Sequence, residues 1–88
     1  MDVEWDEDKD AANRAKHGLA LAEAANLDWA RAVYRRDLRR DYGEERIEAA
    51  APLNGRLHIC IFTMRGATRR IISLRKANAR EVRRHEPG

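Results

Sequence analysis

The sequence holds one cysteine, two prolines and five glycines in 88 residues, and only five of its residues are aromatic: Trp5, Trp29, Tyr34, Tyr42 and Phe62. With Cys60 alone, an intrachain disulfide and a thiolate metal site are both excluded. No apolar run approaches the roughly 18 residues that a membrane span requires, and no signal peptide opens the chain, so a cytoplasmic protein with no membrane partner is expected. There is no P-loop, dinucleotide fingerprint or nucleophile elbow. Repeats, low-complexity tracts and flexible linkers are missing too. The length allows one domain, residues 1–88, because two independent cores will not fit. The hydrophobic share of 43% contains fifteen alanines, so bulky core residues are few. A core that thin favours support from a second chain.

Charge is abundant and unevenly placed. Residues 1–10 contain six acids and one lysine, a net of −5, which leaves +8 on the rest of a chain whose total is +3. From Arg65 to Glu86 there are eight cations against two acids. Fifteen of the eighteen cations are arginine; the lysines are Lys9, Lys16 and Lys76. Arginine offers a planar fork of donors that matches phosphate oxygens in pairs. An arginine-biased basic half points to a nucleic-acid partner, or to nothing more than a solvated surface. The N-terminal acids resemble a metal pocket only superficially, since they stand where a helix begins and no His or Cys pair completes them.

Local signals predict the elements. Val3–Trp5 reads as a short edge strand. Asp6 caps a first helix that passes Ala11, Ala12 and Ala15 and stops at Lys16-His17-Gly18, with Gly18 suited to a left-handed terminus. A second helix is expected from about Leu21 to Asp28, without a strong N-cap. Val33-Tyr34 suits a short strand, and Arg35–Arg40 an exposed basic loop. Glu45–Ala51 and Arg56–Met64 flank Asn54-Gly55, the strongest short hairpin signal. Pro52 requires that strand to be an edge or to be ending there. Arg65-Gly66-Ala67 turns the chain into a last strand, Thr68–Arg75. Asn78 followed by Glu81 forms a capping box for a final helix that Pro87-Gly88 ends. The result is an α+β domain of order β-α-α-β-β-β-α, with helices packed on an antiparallel sheet. Alternation puts Leu57, Ile59, Ile61, Thr63 and Arg65 on one face and His58, Cys60, Phe62 and Met64 on the other. In the last strand it groups Ser73 and Arg75 with Ile71. One face packs on the first two helices; the other needs the last helix or a partner to cover it.

Metal-free cleavage of RNA needs a group to help remove the 2′-hydroxyl proton, one to protonate the leaving 5′-oxygen, and cations to stabilise the phosphorane. The candidates are Lys16 and His17 at the end of the first helix, Arg46 from the second strand, Arg65 at the tight turn, and Arg70, Ser73 and Arg75 along the last strand. His17 is the obvious group titrating near neutrality beside cations. Each has a plainer reading: Lys16-His17-Gly18 as a well-formed helix end, Arg65 as a turn residue, Arg75 as a surface ion pair with Glu81 or a neighbour. His58 suits a half-buried sheet position, Cys60 a small hydrophobe and His85 a solvated helix face.

The run Glu4-Trp5-Asp6-Glu7, with Lys9, Asn13 and Lys16-His17-Gly18-Leu19, resembles the opening of the BrnT toxins. The likeness continues through Ala24-Ala25, Leu27-Asp28-Trp29 and Arg40-Asp41-Tyr42-Gly43-Glu44. It resumes at Asn54-Gly55-Arg56-Leu57-His58 and Phe62-Thr63-Met64-Arg65-Gly66. Arg70-Ile71-Ile72-Ser73-Leu74-Arg75-Lys76-Ala77-Asn78 and Glu81-Val82-Arg83-Arg84 close it. It covers nearly the whole chain in order. The family often carries tyrosine where His85 stands, and glycine would be expected near Ala51-Pro52.

The resemblance implies a small RelE-like fold and a toxin of a type II toxin–antitoxin system. Such a toxin is a metal-independent endoribonuclease with no cofactor, which cleaves RNA and inhibits translation. The implied partner is a BrnA-like antitoxin with a ribbon-helix-helix part, in a 2:2 heterotetramer that meets operator DNA only through the antitoxin. Lys16, His17, Arg46, Arg65, Ser73 and Arg75 are the positions that carry over. In this reading His17 is the acid/base, Arg65 and Arg75 hold the phosphate, and Lys16, Arg46, Arg70 and Ser73 bind RNA. Two alternatives use the same arginines without chemistry: a nucleic-acid-binding regulator, and a degenerate toxin kept as corepressor with its antitoxin.

Overall fold

The computed structural model describes residues 2–85. Five strands form one sheet: β1 (Val3–Trp5), β2 (Val33–Arg36), β3 (Ile47–Leu53), β4 (Arg56–Arg65) and β5 (Thr68–Lys76). Their spatial order is β1-β5-β4-β3-β2. The chain is α+β, but the sheet is mixed rather than antiparallel. β1 runs parallel to β5, with Glu4 opposite Arg70, while the other neighbours are antiparallel. A parallel neighbour needs a long crossover, and everything between the two strands supplies it. The strand at Val33 is real, extends to Arg36 and forms the far edge.

Helix α1 (Glu7–His17) starts and stops where its residues require. Asp6 accepts hydrogen bonds from the amides of Asp8 and Lys9, and Gly18 closes the end at φ 70°. The expected second helix is instead a 3-10 helix, Leu21–Asn26, followed by a shorter one, Trp29–Arg31. Ala20 has no capping side chain, and Leu27 returns to extended backbone while its amide reaches back to Ala24. Without a cap, about two tight turns form rather than a propagated α-helix. Helix α2 (Ala79–Arg84) carries the full Asn78/Glu81 capping box. His85 is its C-terminal cap, and Pro87-Gly88 lies outside the described residues. At the hairpin Asn54 and Gly55 both take positive φ, 51° and 78°, as a two-residue turn of the primed type demands. β3 runs through Pro52, yet β2 pairs only as far as Ala50, so the proline sits on a locally open margin. There its carbonyl accepts from the amide of Asp28.

The core is double. On one face Leu21, Ala24, Leu27, Cys60, Phe62, Ile71 and Leu74 pack with Trp5 and Trp29. On the other, Ala50, Ile59, Ile61 and Ala77 pack with Ile72 and Val82 of α2. The grouping of Ser73 and Arg75 with Ile71 is overturned by a bulge. Phe62 pairs with Ile71 but Ile61 with Ser73, so Ile72 is an extra residue in β5. Such an insertion reverses the alternation beyond it. Ile71 therefore joins the larger core, while Ser73 follows Ile61 to the other face.

α1 is held by polar side chains rather than by its alanines. Ala11, Ala12 and Ala15 are exposed, and its buried residues are Asp10 and Asn13. Asn13 donates to the Leu74 carbonyl at 2.9 Å and accepts from the Leu74 amide at 3.0 Å. It thereby occupies the edge of β5 just past the point where β1 ends. Its amide also donates to the Leu19 carbonyl, and Asp10 accepts from the Leu21 amide at 2.7 Å. Backbone groups that would be orphaned at a buried sheet edge are thus satisfied by one side chain. This latch fixes where the C-terminal end of α1 meets β5.

Candidate functional site

That junction opens into a depression of about 490 Å³ on the smaller-core face of the sheet. Its floor is Ile61 and Ile72, brought level by the bulge. Lys16 and His17 enter from the end of α1, and Ser73 and Arg75 from β5. Arg46 stands just ahead of β3, and Glu48 lies within it. The loop between β2 and β3 adds Arg39, Arg40 and Tyr42. Five cations therefore face a single carboxylate in the lining.

Acids outside the depression orient its arginines. Both terminal nitrogens of Arg75 donate to Glu81, at 2.7 and 2.9 Å, and the same Glu81 caps the amide of Asn78. The ion pair expected for Arg75 therefore exists. It also leaves the side chain one-third exposed at the lining. Hydrogen bonds from Arg75 hold the Glu81 carboxyl down at about 2. Arg39 grips Asp37 with two bonds of 2.8 and 2.9 Å, and Tyr42 donates its hydroxyl to the same acid at 3.2 Å. Asp37 is buried and drops to about 2, chiefly through its bond to Arg39. Its amide donates to the Arg46 carbonyl, which closes the loop. The Tyr42 ring lies under the Arg46 guanidinium at 3.9 Å and near that of Arg40 at 5.0 Å. A bidentate pair uses two of a guanidinium's five N–H donors, so such arginines are oriented and still able to donate.

His17 is partly buried, and its pKa is pushed below 6.5 by burial first, then by Lys16 and Arg75. The neutral ring is therefore the commoner form near neutrality, and the protonated ring gives up its proton more readily than an ordinary imidazolium.

The structure brings together Lys16, His17, Arg46, Ser73 and Arg75, and leaves Arg65 and Arg70 outside the depression. Arg65, at the far end of β4, approaches Glu44 at 3.7 Å, and Glu44 also approaches Arg46 at 3.7 Å. Arg70 pairs with Glu4 across the parallel strands. His58 is buried with its Nδ1 2.7 Å from the Arg56 carbonyl, deeper than a half-buried position. Cys60 is buried and its thiol is pushed up to about 12 by desolvation. His85 lines a separate apolar groove with Leu57 and Val82.

Sequence reasoning missed Arg39, Arg40, Tyr42 and Glu48 as parts of this lining. Three belong to a loop with no periodicity to betray it. The available clues were Asp37 two residues before Arg39, and the turn in which Asp41 accepts from the Gly43 amide. Among the described residues no three His, Cys, Asp or Glu side chains gather as a metal would require. No helix among them is long and apolar enough to cross a membrane.

No individual curated protein matches the sequence. A family model described as the ribonuclease toxin BrnT of type II toxin–antitoxin systems matches residues 5–81, which spans α1, strands β2 to β5 and the Glu81 that anchors Arg75. Through that match the chain belongs to the BrnT family of ribonuclease toxins.

Proposed function

We propose that the chain is a metal-independent endoribonuclease that inhibits translation by cutting RNA in the depression between α1 and the sheet. The observation that carries the reading is the convergence of His17, Ser73, Arg46 and Arg75 on one concave surface. In this reading Arg75 and Arg46 hold the scissile phosphate, and Ser73 donates to a phosphate oxygen. Lys16, Arg39 and Arg40 draw the strand in. His17 transfers a proton, and the 2′-hydroxyl is the nucleophile, which restricts the reaction to RNA. Five cations converging without an acidic cluster repel a divalent ion and suit a phosphorane, which supports metal independence. Arg65 acts at one remove, through Glu44 on Arg46, and Arg70 braces β1. The fold is taken as RelE-like, and the partner as a ribbon-helix-helix antitoxin in a two-plus-two cytoplasmic assembly that reaches operator DNA through the antitoxin.

The test is incubation of the purified chain with a defined RNA in excess chelator. Cleavage is expected, with a 2′,3′-cyclic phosphate on one product and a 5′-hydroxyl on the other. The same RNA carrying a single 2′-deoxy nucleotide at the cut site should bind and survive. Binding of intact RNA without any cleavage would support the regulator reading instead.

A further inference from the structure

We propose that Glu48 is the general base of the cleavage reaction, which makes His17 the general acid. The proposal rests on the ribonuclease reading above and assigns the proton transfers within it. Displacement at phosphorus by the 2′-oxygen is in line, so the attacking and departing oxygens lie on opposite sides of the phosphorus. The two proton-transfer groups must then flank the phosphate rather than sit together.

The strand registers place them so. Glu48 on β3 is opposite Ile61 on β4, which is opposite Ser73 on β5. Neighbouring strands are about 4.8 Å apart, which puts the Glu48 and Ser73 backbones about 10 Å from one another across the Ile61 floor. Beyond β5, on the side away from β4, the Asn13 latch brings in the end of α1 with His17. Across the depression the order is therefore Glu48, Ile61, Ser73, His17, with Arg75 beside Ser73. A phosphate held by Arg75 and Ser73 lies between the carboxylate and the imidazole.

Glu48 has the chemistry a base requires. Its Oε2 accepts from Arg35 Nε at 2.5 Å, and its side chain is 15% exposed. No hydrogen bond among the described residues engages its Oε1. It is the one carboxylate in the lining, and it faces Arg35 from β2, Arg39 and Arg46 from the loop, and Arg75 from β5. His17 faces Lys16 on its own helix and Arg75 on β5. Burial and those two cations make its protonated form the stronger acid.

The proton inventory closes. Glu48 takes the 2′-hydroxyl proton as the 2′-oxygen bonds to phosphorus. The P–O5′ bond breaks, and the departing oxygen takes the proton of the His17 imidazolium. Products are the 2′,3′-cyclic phosphate and the 5′-hydroxyl, and exchange with water restores both side chains.

Single-turnover cleavage of a defined RNA by the purified chain tests this with E48Q, which keeps an oxygen for Arg35 but not a base. E48Q should lose about 10²–10⁴-fold in rate, the size of a general-base contribution, while still binding the 2′-deoxy RNA with wild-type affinity. E48Q should also flatten the acid-side limb of the pH profile, and H17A the basic-side limb. A substrate whose 5′-oxygen is replaced by sulfur, a leaving group that needs no proton, should rescue H17A and not E48Q. Should E48Q fold poorly by thermal melting, Glu48→Asp supplies the same readouts with the charge kept and the reach shortened. Wild-type activity in an unimpaired E48Q overturns the assignment of Glu48 alone, and so does sulfur rescue of E48Q in place of H17A. Absence of cleavage by the wild type would instead overturn the ribonuclease reading beneath it.

Discussion

On one face of the sheet the buried side chains of Asn13 and Asp10 bond backbone groups, with Asp10 also paired to Arg14, beside a core that contains Leu21, Phe62, Ile71 and Leu74. On the other, a smaller core of Ala50, Ile59, Ile61 and Ala77 leaves room for a row of arginines, two of them clamped by Asp37 and Glu81. The first arrangement is a frame, buried and satisfied by backbone partners. The second is a working surface whose ion pairs are part-exposed, so each contributes modestly to stability while setting the direction of a guanidinium. Stability and chemistry are thereby divided between faces, and they meet at the end of α1.

Substitutions should respect that division. The largest effect is expected for Asn13→Ala, which leaves the Leu74 amide and carbonyl without partners at a buried edge. Each orphaned group costs about 1–3 kcal/mol, so chemical denaturation should show a loss of several kcal/mol. Leu21→Ala, in the larger core, should cost about 2–5 kcal/mol by the same measurement. Equal sensitivity at exposed Ala12 would break the comparison.

The charged face should show itself in acid. Glu81 and Asp37 both titrate below their ordinary values of 4.5 and 3.8, at about 2. Lowered folded-state values mean that their stabilisation is complete above about pH 4.5 and drains away as the pH falls towards 2. Thermal midpoints followed through that window should fall less steeply in E81Q than in the wild type. The smallest effect is expected for Tyr42→Phe. The ring still supports Arg46 while one hydroxyl bond to Asp37 is lost, a change of about 1 kcal/mol or less in stability. Tyr42→Ala, which removes the ring, should weaken binding of 2′-deoxy RNA several-fold by fluorescence anisotropy.

Features written in neighbouring residues were legible. Asp6, Gly18, Asn54-Gly55 and the Asn78/Glu81 box each specify a local geometry, and all four occur as expected. What escaped depends on distant partners. The parallel pairing of β1 with β5 joins residues 66 apart, such as Glu4 and Arg70. Nothing in Val3–Trp5 announces its direction. The bulge at Ile72 looks like plain alternation until Ile61 and Phe62 supply the register. α1 misleads because its small apolar residues face solvent while an asparagine and an aspartate are buried, the reverse of an amphipathic pattern. Of the site, the residues at element ends and on β5 were legible as types; their meeting depended on the Asn13 latch, and the contribution of the loop on Asp37.

The central claim is that His17 and the oriented cations act on RNA while adding only modestly to the stability of the fold. Single-turnover cleavage and thermal melting of Arg75→Ala and His17→Ala, measured on the same preparations, address it most directly. The account predicts cleavage at least about 100-fold slower in each, the size of a lost proton-transfer group or phosphate contact, with His17→Ala melting within a few degrees of the wild type. Undiminished cleavage in both variants, or losses of activity that merely track losses of folded protein, would contradict it.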